Sequence, residues 1–272
     1  MPKPSFFTLI INQYLPEPHA SLLNGILFGI NLKTTKQFYT ELKMVGLLHL
    51  VVLSGMNITI LSSIISSVTG FLSKKISTLI VILTIILFVL FVGPEAPIIR
   101  AASMGILTHV AILTGRLRYS IFVLFLSFIF TLLIGFFSPA TIKPLSLLLS
   151  YGATLGIILF GQSKLKQTDN NFLNFYNQIK AEFKTSLAAQ IFTAPIIFIY
   201  FKQISLISPL ANVLVSFLVP VLMVFGLLTA VLGKIYYLLG FPFAWVCYLI
   251  LSYIIWVVKT LSKIPGIFIS FK

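Results

Sequence analysis

Residues 74–93 read KKISTLIVILTIILFVLFVG, two lysines followed by eighteen residues without a charge. At 1.5 Å per residue, about 20 apolar residues in a helix cross a hydrocarbon layer of roughly 30 Å, so this stretch is expected to span a membrane. Working outward, comparable runs lie at about 45–69, 97–115, 119–137, 143–161, 185–203, 208–233 and 240–262. The expected fold is therefore an all-α polytopic membrane protein, a bundle of about eight transmembrane helices.

Composition gives the same answer. Hydrophobic residues make up 58% of the 272 and charged residues 9%, with 26 Phe against five Asp plus Glu. A soluble domain carries about 25% charged residues to solvate its surface, so this chain is expected to use lipid as solvent. The single Cys247, inside an apolar run, excludes a disulfide within the chain and a cysteine-built metal site.

Nineteen Lys and Arg against five acids give +14. Most of these bases fall between apolar runs, where the positive-inside rule expects them. Lys74, Lys75, Arg116, Arg118, Lys164, Lys166, Lys180, Lys184 and Lys234 share one side of an eight-helix bundle, which is expected to be cytoplasmic. Lys33, Lys36, Lys43 and Lys263 pull the other way. Much of the charge is thus a matter of topology, and only bases away from loops speak for an anionic ligand.

Residues 1–44 are expected to form an N-terminal segment and 45–272 the membrane domain. Phe6–Ile11 is too short an apolar run for a signal peptide and leads to Pro16 and Pro18, so the N-terminus is expected to be retained. Leu22, Leu23, Ile26, Leu27 and Ile30 follow helical spacing over too few residues to span, which suggests an interfacial or re-entrant helix. A second amphipathic interfacial helix is expected at about 168–184, where Phe172, Phe175, Tyr176, Ile179 and Phe183 oppose Lys180, Glu182 and Lys184.

A hydroxyl or amide in hydrocarbon is costly without a partner, so polar stripes show where a helix meets protein or water. Ser146, Ser150 and Thr154 form one such stripe; Ser186, Gln190 and Thr193 another; Ser208, Asn212 and Ser216 a third. Interhelical hydrogen bonding and a hydrated path explain these stripes equally well. The densest signal is His49-Leu-Val-Val-Leu-Ser54-Gly55-Met56-Asn57. Ser54 falls about 15 Å along a helix begun at Val45, near the layer's centre, and the Ser54–Gly55 pair marks a kink of the kind that forms transporter sites. On one helix His49 and Asn57 lie within about 80° and face one cavity; the alternative for His49 is a neutral imidazole bonded to a nearby carbonyl.

Arg100 is the base placed inside a span. Such a charge costs about 2.5–3.5 kcal/mol at the bilayer centre on insertion scales and marks a functional candidate. Pro97 suits a helix's first turn, so Arg100 is expected near an N-terminus, close enough to the interface to snorkel, where guanidinium and free N–H groups together favour a phosphate. Glu95 is the competing partner.

These residues, in this order, resemble the membrane competence domain of the ComEC DNA-uptake family. Val45–Asn57 resembles that family's Gly-x-x-His-x-x-x-x-Ser-Gly-x-His segment, Pro97–Met104 its Pro-x-x-Arg-Ala-x-x-Met segment, and Leu149–Gly156 its Leu-Ser-Phe-x-Ala-Thr-x-Gly segment. Ala189-Gln190 with Pro195, then Asn212 and Pro220, complete the pattern. Asn57 stands where the family has His, and Leu148 where it often has Gln. The resemblance implies a channel in the cell membrane that passes one strand of incoming DNA during natural transformation. His49, Ser54, Gly55, Asn57, Arg100, Ser103, Ser150, Thr154, Gln190, Asn212 and Ser216 are its candidate lining.

Full-length family members add an OB-like domain and a metallo-β-lactamase-like domain, for which these 272 residues have no room. No His-x-His-x-Asp cluster or phosphate-binding Gly-x-x-x-x-Gly-Lys-Ser/Thr loop is present, so no metal, cofactor or catalytic activity is expected. The implied partners are single-stranded DNA, membrane lipids, and separate nuclease, OB-like and helicase or ATPase proteins. Competing functions are a small-solute or lipid transporter, a non-conducting scaffold, and an intramembrane serine hydrolase pairing Ser54 with His109. The last lacks the first Gly of a Gly-x-Ser-Gly elbow, replaced by Val52, and an acid to orient the histidine.

Overall fold

The computed structural model describes residues 4–30, 32–51, 55–93, 96–114, 120–137, 144–161 and 171–270. Among them the chain forms α1 (Pro4–Tyr14), α2 (His19–Phe28), α3 (Lys36–Val45), α4 (Leu48–Val51), α5 (Gly55–Val68), α6 (Lys74–Val92), α7 (Ala96–Thr114), α8 (Ser120–Phe137), α9 (Pro144–Gly156), α10 (Asn171–Phe201), α11 (Ser208–Ser216), α12 (Val219–Ile235) and α13 (Tyr237–Leu261). A π-helical turn, Ile157–Gly161, prolongs α9. Two three-residue strands, β1 (Gln203–Ser205) and β2 (Phe268–Ser270), pair antiparallel with Ile204 opposite Ile269. The all-α expectation thus holds apart from this short ribbon.

By length and composition the chain is a multi-pass membrane protein. Four described helical stretches are long and apolar enough to cross a bilayer: Lys74–Val92, Pro144–Gly161, Tyr176–Phe201 and Tyr237–Leu261. A fifth crossing is the pair α11 and α12 if the two count as one.

The residues divide into two compact units, the first comprising Met1–Phe6 and Leu53–Tyr151, the second Phe7–Val52 and Gly152–Lys272. In the first unit Ile58, Val81, Ile85, Ile98 and Ala102 make a buried core where α5, α6 and α7 meet. On α6, Thr78, Val81 and Ile85 turn inward while Leu79, Leu83, Ile86, Leu87 and Leu90 are exposed. Helix α8 goes further, burying Ser127 and Thr131 completely and exposing Phe122, Phe125, Phe130 and Phe136. A water-soluble helix has the opposite polarity; hydroxyls inside and phenylalanines outside suit a lipid solvent, where helices associate by packing and hydrogen bonding.

In the second unit α12 and α13 form a hairpin against which α2 is buried over nine of its ten residues, Ala20 to Phe28. The helix expected to be interfacial or re-entrant is thus buried within this unit. Every face of this short helix meets protein: Leu23 and Leu27 lie against Gly226, and Asn24 donates to Asn12 at 2.8 Å.

Three further expectations change. The run 45–69 is not one helix, because α3 ends at Val45 on Gly46, whose φ of 80° is left-handed and whose neighbour Leu47 bonds back to the Leu42 carbonyl. His49 and Asn57 consequently stand on separate helices and in separate units, and Ser54, with the expected kink, lies outside the described residues. The interfacial helix of 168–184 and the span of 185–203 are one continuous helix from Asn171, since no Gly or Pro interrupts the chain before Pro195. Conversely, the single span 208–233 is broken and bent by 50° between α11 and α12. Pro220, in the first turn of α12, has no N–H, and in an unbroken helix its ring would crowd the carbonyl of residue 216, which favours the break there.

Candidate functional site

The first unit gathers its hydroxyls at Arg100. One helical turn after Arg100 on α7, Ser103 Oγ donates to the Arg100 carbonyl at 2.9 Å. Ser127 of α8 reaches the same carbonyl at 3.3 Å and touches Ser103 Oγ at 2.6 Å. The Tyr151 hydroxyl of α9 lies 2.9 Å from Ser127 Oγ and 2.7 Å from Thr131 Oγ1, and Thr131 donates to the Ser127 carbonyl at 2.9 Å. In each contact between hydroxyls either oxygen can be the donor, and each hydroxyl has one hydrogen to give, so the hydroxyls share donors and acceptors around the cluster. The result is a dry polar knot: Ser103, Ser127, Thr131 and Tyr151 are all buried.

This knot fixes α7, α8 and α9 to one another at the depth of Arg100. Tyr151 is also near enough to Arg100 to act on it electrostatically. Asn57, on α5 of the same unit, is 2% exposed, so an amide takes the buried place where the resemblance leads one to expect His. Glu95, the competing partner, lies outside the described residues.

The second unit pairs its stripes with each other. Asn212 Nδ2 donates to Ser186 Oγ at 2.7 Å, Ser216 Oγ donates to Glu182 Oε1 at 2.9 Å, and Gln190 Nε2 donates to the Ser205 carbonyl at 2.8 Å. Residues 182, 186 and 190 share one face of α10 at four-residue spacing, so the three bonds run along a single seam. Thr193 bonds its own helix, at the Ala189 carbonyl. Ser208 packs beneath Gly46, where a Cβ would stand 2.6 Å from its own.

His49, on α4, takes the plainer of its two readings, with Nδ1 2.9 Å from the Gly46 carbonyl. Gly55 opens α5. Ser150 and Thr154 share α9 but belong to different units. Within its own unit, Arg100 with Ser103 belongs to one polar assembly, and Gln190, Asn212 and Ser216 belong to another. Ser127, Thr131, Tyr151, Glu182 and Ser205 were not foreseen as members; the four-residue spacing of Ser127 and Thr131 in an otherwise apolar run was the signal for two of them. No group of three His, Cys, Asp or Glu that could hold a metal occurs among the described residues.

The Arg100 knot sits on the Pro97–Met104 and Leu149–Gly156 segments, and the family model described as "Competence protein" matches residues 26–272, which include both. The chain belongs to the competence protein family. The chain is also similar to ComE operon protein 3 of Bacillus subtilis (strain 168), at 26% identity over 211 residues covering 75% of this chain and 25% of that protein. This competence protein thus spans about a quarter of the length of the curated relative it matches. No solved structure matches it.

Proposed function

We propose that this competence protein is the membrane-embedded conduit through which single-stranded DNA enters the cell during natural transformation. Membership of the family over residues 26–272 is the observation that carries the reading. The bundle would cross the cell membrane eight times, by α5, α6, α7, α8, α9 with its π-turn, α10, the broken pair α11–α12, and α13. Helices α5, α7 and α8 are not among the described stretches long and apolar enough for a full crossing, but α8 has the inside-out polarity of a lipid-facing helix.

Arg100 is the proposed phosphate contact. It lies near the start of α7, where a guanidinium and the first N–H groups of a helix suit an anion, and the Ser103–Ser127–Tyr151 knot holds that turn in place. The proposed role is conduction without catalysis; strand degradation and ATP-driven pulling are assigned to parts outside these 272 residues.

In a transformable host dependent on this protein, Arg100→Ala at normal membrane abundance should abolish DNA internalisation while surface binding of DNA continues, and Arg100→Lys should retain part of it. Wild-type internalisation by Arg100→Ala would defeat the phosphate role. Flux of small solutes in proteoliposomes, indifferent to added single-stranded DNA, would defeat the conduit reading itself.

A further inference from the structure

We propose that the seam between α10 and α11 is a hydrated, acceptor-lined groove that admits cations and neutral hydrogen-bond donors and refuses anions. The bonds that close the seam use one N–H of each amide and leave the amide oxygens unmatched. Asn212 and Gln190 each donate through the amide N, to Ser186 and to the Ser205 carbonyl. Asn212 Oδ1, Gln190 Oε1 and Ser205 Oγ are then buried without a hydrogen-bond partner among the described residues.

Buried polar atoms in proteins are almost always matched by protein or ordered water, so three unmatched oxygens along one seam mark a place for water or for a ligand's donors. Charge points the same way. Glu182 stands on the same face of α10 one turn before Ser186, its Oε1 held by Ser216. Lys180 and Lys184 lie two residues to either side, about 200° around the helix, and so face away from the seam. Lys202, next to β1, is exposed. The broken pair supplies a further reason. Ser216 is the last residue of α11, immediately before the 50° bend, and interrupted backbone within a membrane is tolerated where it borders protein or a water-filled cavity.

This groove is distinct from the Arg100 knot, which belongs to the other unit, and it does not depend on DNA being the solute. A polyanion's phosphates are the groups it would turn away.

The test uses the full chain in native membranes with Cys247 replaced by Ala. Single cysteines are placed at Ser205→Cys, nearly isosteric, Asn212→Cys and Gln190→Cys, with Ile191→Cys and Ile199→Cys as controls at positions 55% and 73% exposed on α10. Each is treated with a cationic (trimethylammonium) or an anionic (sulfonate) methanethiosulfonate, and each rate is normalised to that reagent's rate on the same chain unfolded in detergent. The groove cysteines should react, with the cationic reagent favoured about tenfold, and the lipid-facing controls should not. Glu182→Gln in the Ser205→Cys background should bring the two normalised rates together. Groove cysteines inert in membranes yet reactive once unfolded would overturn the hydration; equal normalised rates, or a preference that survives Glu182→Gln, would overturn the charge selection. Neither outcome touches the Arg100 reading, which is decided by internalisation.

Discussion

The Tyr151 hydroxyl of α9 stands 2.7 Å from Thr131 Oγ1 of α8, inside a membrane domain and away from both lipid and water. With no hydrophobic effect between helices in lipid, hydrogen bonds of this kind and close packing do the work that core burial does in a soluble protein.

Removing that hydroxyl tests the knot. Tyr151→Phe, which restores the residue type of the family segment, deletes the contacts to Ser127 and Thr131 and should lower stability in detergent by about 0.5–1.5 kcal/mol without unfolding the chain. A thermal unfolding midpoint unchanged from wild type would show that the knot adds nothing.

Two glycines four residues apart on α9 should behave oppositely. A Cβ on Gly156 would strike the Ala188 carbonyl of α10, whereas one on Gly152 would meet Ile196 Cδ1 at an ordinary 3.4 Å. Gly156→Ala should therefore cost about 1–3 kcal/mol, and Gly152→Ala should be neutral or slightly stabilising through its better helix propensity. Urea unfolding of the purified protein, compared at matched detergent, measures both.

At Gly46 the backbone itself forbids a side chain. Its φ is 80°, and a Cβ there would lie 2.8 Å from Ser208 Oγ. Gly46→Ala should cost about 2 kcal/mol or more, and adding Ser208→Gly, which removes both the Cβ and the Oγ it would strike, should recover only the contact and not the backbone strain. Full recovery in the double variant would show that the turn is unstrained.

His19 gives stability a pH dependence. Its Nε2 lies 3.0 Å from Ser252 Oγ and its ring stacks on Tyr248 at 4.6 Å. Burial holds its pKa below the ordinary 6.5, and Lys259 adds to this while Glu17 opposes it. A histidine whose folded pKa is depressed binds its proton more readily when unfolded. The stabilisation is therefore complete above about pH 6.5 and is lost as pH falls through the folded value. Unfolding midpoints measured from pH 7.5 to 5 should fall in the wild type and flatten in His19→Gln; parallel curves would remove His19 from the pH response.

The membrane class was fully legible in residues 74–93 and in the scarcity of charge, because a span needs only an uninterrupted apolar length, which is a local property. Family membership was legible in the short segments around Arg100 and Ser150. Helix continuity was less so. Gly46 and Pro220 carried enough information to break two expected spans, but their effect depends on whether the fold uses the left-handed turn and the bend.

Partnership was decided by tertiary structure alone. The sequence placed Ser186, Gln190, Asn212 and Ser216 on helix faces and left bonding and hydration equally open; only the packing around α10 shows where each amide nitrogen donates and which oxygens remain unmatched. It likewise buried the short helix α2 in protein and brought Ser127 and Tyr151, 24 residues apart, to 2.9 Å. Periodicity fixes the face a residue occupies, whereas a hydrogen bond depends on a second helix whose rotation and depth no local pattern encodes.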